Sequence, residues 1–127
     1  MAIQNLNSLI TNKYPYAEVR RKKVNGRRYY EGQNKLLPSV TTILSNTKSE
    51  EDEKALQKWR NRVGEEAAEA IRNQAASVGT AVHKFLECHI RGIGYDDVTN
   101  DGVIGKRMAK VIIERAFPSI DEFWGTE

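Results

Sequence analysis

Cysteine is nearly absent from this chain of 127 residues: Cys88 stands alone. A single thiol excludes an internal disulfide framework and fits a reducing compartment. Long apolar runs are missing as well, so a membrane-spanning helix is not expected. The opening stretch, MAIQNLNSLITNK, lacks the charged start and apolar block of a secretory signal, and it is poor in arginine. Together these absences point to the cytoplasm and to no membrane partner. Glycine occurs nowhere in the spacing of a phosphate-binding loop, and there is no G-x-S-x-G, so P-loop hydrolysis of nucleotides and the nucleophile elbow are unsupported. Cys88 has no electropositive neighbourhood in the sequence and reads as a small buried residue rather than a nucleophile.

What remains is a soluble composition, with 39% hydrophobic and 29% charged residues. At this length the expectation is one domain over residues 1–127 with one modest core. The net charge of +3 is too small to imply a polyanionic partner by itself, but its distribution is uneven. Arg20, Arg21, Lys22, Lys23, Arg27 and Arg28 crowd together, and the compensating acids gather in SEEDE, from Ser49 to Glu53.

The crowded cations surround Asn25-Gly26, a dipeptide suited to the two positive φ angles of a type I′ turn. A basic hairpin is therefore expected over 15–32, with Val24 opposite Arg27, Lys23 opposite Arg28, Lys22 opposite Tyr29 and Arg21 opposite Tyr30. Lys23 facing Arg28 is unfavourable unless an anion lies between them. Phosphates are the obvious anion, with Tyr29 and Tyr30 placed to pack on sugars or bases. The residues alone leave a second reading open, a solvated edge hairpin whose cations discourage aggregation.

A helical region is expected over 37–117. A short helix is also expected over residues 3–10. LPSVTTILSNT combines β-branched residues with helical spacing of Val40, Ile43 and Leu44 after Pro38-Ser39, and both strand and helix stay open. Helices are expected over 52–63 (N-cap Ser49, buried stripe Leu56, Trp59 and Val63, break at Gly64), 65–90 and 103–117 (Ile104, Met108, Val111 and Ile112 inward). The fold class is thus α+β and mostly helical.

In GTAVHKFLE, His83 flanks the apolar arc of Val78, Val82, Phe85, Leu86 and Ile90, with Glu87 one turn later. The small residues Ala76 and Gly79 leave space in front of it. A metal ligand and an ordinary boundary histidine both fit that pattern. A zinc site from His83, Cys88 and His89 is disfavoured, because the three scatter around the helix.

LPSVTTIL, then KWRNRVGEEAAEAI, then GTAVHKFLE resembles the N-terminal part of RecB-like exonucleases of the PD-(D/E)XK superfamily. That family includes phage nucleases and the mitochondrial genome maintenance exonuclease. The resemblance covers about residues 37–92 and extends loosely to 127. It implies that His83 ligates a catalytic Mg2+ or Mn2+ and that Glu87 matches an acidic residue a turn later. It places Ser39, Thr41 and Thr42 near the active-site channel, and Glu127 at the opening of the first core strand. It further implies a DNA partner, as single strands or duplex ends, and the host cytoplasm if the chain is phage-encoded. The family's aspartate and Asp/Glu-x-Lys strand, which hold the metal, have no match. Asp52-Glu53-Lys54 has the letters in a polar helix start, and Asp96, Asp97 and Asp101 read as turn formers. The expectation is a truncated or split nuclease, inactive alone and completed by a second chain that carries the core sheet. The alternative is a non-catalytic nucleic-acid-binding or nuclease-regulating module derived from such an enzyme.

Overall fold

A computed structural model describes residues 7–127. Within them, an antiparallel three-stranded sheet is followed by four α-helices, an α+β fold that is mostly helical. The described residues divide into two compact units, Tyr16–Glu65 and those on either side of it.

The first unit is built on a meander of β1 (Arg20–Val24), β2 (Arg27–Gly32) and β3 (Lys35–Pro38). Asn25 (φ 51°) and Gly26 (φ 77°) make the first turn, so Val24 pairs with Arg27, Lys23 with Arg28, Lys22 with Tyr29 and Arg21 with Tyr30. A second left-handed pair, Gln33 (φ 49°) and Asn34 (φ 61°), returns the chain as β3 with Lys35 opposite Gly32 and Leu37 opposite Tyr30. This third strand extends the expected hairpin. A Cβ at Gly32 would lie 2.9 Å from Val19 Cγ1, so the exposed Val19 side chain would have to shift to admit one.

LPSVTTILSNT divides at Ser39 into the end of β3 and α1 (Val40–Asn46). Ser39 Oγ accepts from the Thr42 amide at 3.2 Å, which caps the helix. Its own amide donates to the Arg28 carbonyl at 3.1 Å, and Thr42 Oγ1 donates to that carbonyl at 2.8 Å. The start of α1 is thereby fastened to β2. Helix α2 (Glu50–Val63) is capped by Ser49 and carries Glu50, Glu51, Asp52 and Glu53 in its first turn, where they favour the dipole. Asp52-Glu53-Lys54 is helical, not the buried strand that a D-x-K motif would need. The expected buried stripe of α2 is not realised: Leu56 is exposed, and Trp59 and Val63 are half-buried. Gly64 (φ 90°) ends the helix.

In the second unit, α3 (Glu65–Arg91) packs on α4 (Asn100–Arg115) around Val82, Phe85 and Ala109, with Val78, Leu86, Tyr95 and Ile112 against them. The Tyr95 ring meets Phe85 edge-on at 4.8 Å. The loop between the helices is ordered by its own acids: Asp97 accepts from the Thr99 amide and hydroxyl at 3.0 and 2.7 Å, and Thr99 Oγ1 caps α4 through Gly102. The inward face of α4 is a correction to the sequence expectation. Gly102, Gly105 and Ala109 are buried and Ile112 is partly buried, whereas Ile104, Met108 and Val111 are exposed. Small residues allow the α3 backbone to come close, and that approach sets the rotation of α4 against the apolar arithmetic.

Residues 3–6 of the helix expected over 3–10 lie outside the described residues. The rest of that span is not helical: it is irregular up to an isolated bridge at Ile10. The Leu9 amide donates to Ile90 O at 2.7 Å and, just after the span, the Thr11 amide to Phe123 O at 2.8 Å, while the Ile10 amide donates locally to Ser8 Oγ at 3.2 Å. Ile10 thus forms a parallel bridge with Phe123, and Trp124 stands edge-on to Tyr14 at 4.8 Å. Among the described residues no helix is long and apolar enough to cross a membrane.

Candidate nucleic-acid interface

Strand alternation sorts the basic residues onto two unlike faces. Arg20, Lys22 and Arg27 share one face with Tyr29, Glu31, Leu36 and Pro38. On that face Arg20 stands opposite Glu31 in register, and Arg27 Nη1 donates to Asn46 Oδ1 of α1. The other face carries Arg21, Lys23, Arg28 and Lys35 around Tyr30 and Leu37, and it has no carboxylate within its strands. All four cations are exposed, and Tyr30 is half-buried. Among the described residues, no acid forms an ion pair with any of these four. The Lys23–Arg28 repulsion is therefore left to solvent and to whatever anion arrives.

Lys35 was not among the expected contacts. The period-two pattern could have been carried through Gln33-Asn34, since asparagine tolerates a left-handed backbone, but glutamine gives no turn signal.

The hydroxyl residues beside the sheet have structural partners. Ser39 and Thr42 are buried, and their oxygens hold the start of α1 and the β2 carbonyl. Thr41 is exposed, with its Oγ1 2.9 Å from Ser39 Oγ. Of the three, Thr41 is the one with a surface to offer.

His83 lies exposed on α3, and a Cβ on Gly79, one turn earlier, would meet nothing within 4 Å. Glu87, however, is engaged elsewhere: Arg91 Nη1 lies 3.2 Å and Lys84 Nζ 3.5 Å from its two oxygens. Glu127 is exposed, in a segment without regular secondary structure. Among the described residues, no three His, Cys, Asp or Glu side chains come together as a metal-ligand set. Mg2+ and Mn2+ favour several oxygen ligands in octahedral array, so His83 with its described neighbours does not fit the implied ion.

No family model, curated protein or solved structure matches this chain.

Proposed function

We propose that this chain binds DNA through its basic sheet, as the front portion of a metal-dependent RecB-like DNA exonuclease that acts in the cytoplasm, in a phage-type setting the host's. The observation that carries the DNA-binding reading is the register of β1, β2 and β3, which exposes Arg21, Lys23, Arg28 and Lys35 together without a paired carboxylate. The nuclease part rests on the ordered resemblance of LPSVTTIL, KWRNRVGEEAAEAI and GTAVHKFLE to that family. In it, His83 brings one ligand for Mg2+ or Mn2+, and the remaining carboxylates come from a core sheet on another segment or chain.

Fluorescence anisotropy with a labelled DNA strand in EDTA tests the shared core of the proposal. Binding that weakens steeply with NaCl is expected, because cations that neutralise phosphates release counterions. Absence of binding at low salt would sink it.

A second reading, a non-catalytic nucleic-acid-binding or nuclease-regulating module, is favoured by the missing ligand set around His83. The two readings part on metal. Affinity raised by Mn2+ and returned to the EDTA value by His83→Ala supports the nuclease portion. Metal-independent affinity untouched by the alanine supports the module.

A further inference from the structure

We infer that α4 pairs side by side and antiparallel with α4 of a second copy of this chain, so that the protein forms a reversible two-fold dimer. No residue of the basic sheet takes part, and the dimer does not depend on DNA binding.

The seam is legible along the helix. Asp101, Ile104, Met108, Val111 and Arg115 follow one another at steps of three, four, three and four residues. That is heptad spacing, a repeat of about 3.5 residues, which keeps one line of side chains facing a neighbouring helix. On α4 this line runs about a third of a turn away from the buried Gly102, Gly105 and Ala109, so packing on α3 does not use it. Its apolar members are left to solvent: Ile104 is 40%, Met108 49% and Val111 48% exposed. A second helix gives these three the burial that α3 does not.

Charge selects the occupant and its direction. Arg107 and Glu114 flank the seam on one side, and Asp101 and Arg115 close its two ends. Among the described residues none of these four forms an ion pair. Arg107 and Glu114 are about 10 Å apart along the axis, beyond the reach of pairs within one helix. In a parallel pair each charge would meet its own copy, acid against acid and base against base. Reversing the second helix brings Arg107 beside the second copy's Glu114 and Asp101 beside its Arg115, and the two-fold axis makes each contact twice. The same surface is thus complementary to itself in one direction only. Its size sets the strength. The 16 residues of α4 span about 24 Å, a seam at the low end of the roughly 1,200–2,000 Å2 of a stable interface, so the dimer is weak.

Sedimentation velocity across about 5–500 µM tests this, because dimer formation follows mass action. The parent chain is expected to pass from monomer to dimer with a midpoint on the order of 50 µM, as a small interface implies. Met108→Lys sets a cation in the middle of the seam, at an exposed site the fold can bear, and is expected to stay monomeric throughout. Arg107→Glu and Glu114→Arg, each alone, bring like charges together in the antiparallel pair and are expected to weaken association by on the order of tenfold. Mixed in equal amounts, these two variants restore opposite charges at both contacts and are expected to associate about as well as the parent does. Circular dichroism confirms that each variant keeps its helices. A parent chain that is monomeric at the highest concentration overturns the dimer. A dimer that survives Met108→Lys places the contact on another surface and overturns the seam. Single reversals without effect, or a mixture that does not recover, overturn the antiparallel pairing.

Discussion

Gly105 on α4 sits directly against Ala81 on α3: a Cβ added to the glycine would lie 2.7 Å from the alanine Cβ and 3.1 Å from the Val82 amide. Neither neighbour is the movable end of a long side chain, so the helices would have to separate. Gly105→Ala gains about 1 kcal/mol in helix propensity, but overpacking costs about 1–3 kcal/mol. The expected result is a net loss of on the order of 1 kcal/mol by urea unfolding, and a larger one for Gly105→Leu. Ala81→Gly removes the opposing methyl and should recover part of the Gly105→Ala loss. A stabilised Gly105→Ala variant would show that the helices are not in this contact.

The Ser39 hydroxyl gives a second test, because it separates a structural role from a DNA contact. Its oxygen caps α1 and lies 2.9 and 3.0 Å from the hydroxyls of Thr41 and Thr42. Ser39→Ala removes the cap and is expected to cost about 1 kcal/mol in stability. DNA affinity, measured where the variant is still folded, should stay within a factor of about two, since the oxygen is buried among structural partners. A large drop in affinity without a drop in stability would return Ser39 to the interface.

The second hairpin turn has a sequence poorly matched to its shape. Gln33 and Asn34 both adopt positive φ, a conformation that costs a residue with an ordinary side chain roughly 1–2 kcal/mol. Gln33→Asn with Asn34→Gly installs the preferred type I′ pair and is expected to raise stability by about 1 kcal/mol. Thermal melting of the double variant would check this, and a lower midpoint would count against the turn.

That mismatch also explains what could be read in advance. Asn25-Gly26 announces its turn, so the register of β1 and β2 follows from counting residues. Gln33-Asn34 announces nothing, so β3 and Lys35 were hidden, and with them the segregation of charge between faces. Helix caps were legible at Ser49, where acids follow directly. The inward face of α4 was not, because a count of large apolar residues gives no weight to Gly102 and Gly105. At the candidate site, position and type of His83 were legible, but the pairing of Glu87 with Arg91 and Lys84 depends on which rotamers the helix surface favours.

Asp96 offers a pH test. A hydrogen bond from Lys106 Nζ, 3.2 Å away, and the amide of Asp97 hold its carboxyl below its ordinary value near 3.8. A depressed carboxylate contributes stability above the unfolded-state value and loses it as pH falls through the folded one. The contribution is therefore complete near neutrality and fades below about pH 4. Because both side chains are exposed, salt should screen most of it. Carbon-detected NMR titration is expected to place Asp96 below the ordinary carboxyl value, and Lys106→Met should move it back toward that value. No change on that substitution would mean the ion pair does not form.

The last prediction concerns cleavage. Hydrolysis of a phosphodiester by a metal needs an ion held by several ligands and a water activated beside the phosphate. His83 is exposed, Glu87 is bracketed by Arg91 and Lys84, and no three ligating side chains converge among the described residues. A lone imidazole binds Mn2+ weakly and gives it no fixed coordination geometry. The purified chain with Mn2+ is therefore expected to leave end-labelled single-stranded DNA intact over hours, at concentrations where anisotropy shows it bound. Cleavage abolished by both EDTA and His83→Ala would mean that bound DNA assembles a ligand set the free chain lacks. Cleavage that survives His83→Ala would place the chemistry at other residues and remove the histidine from the candidate site.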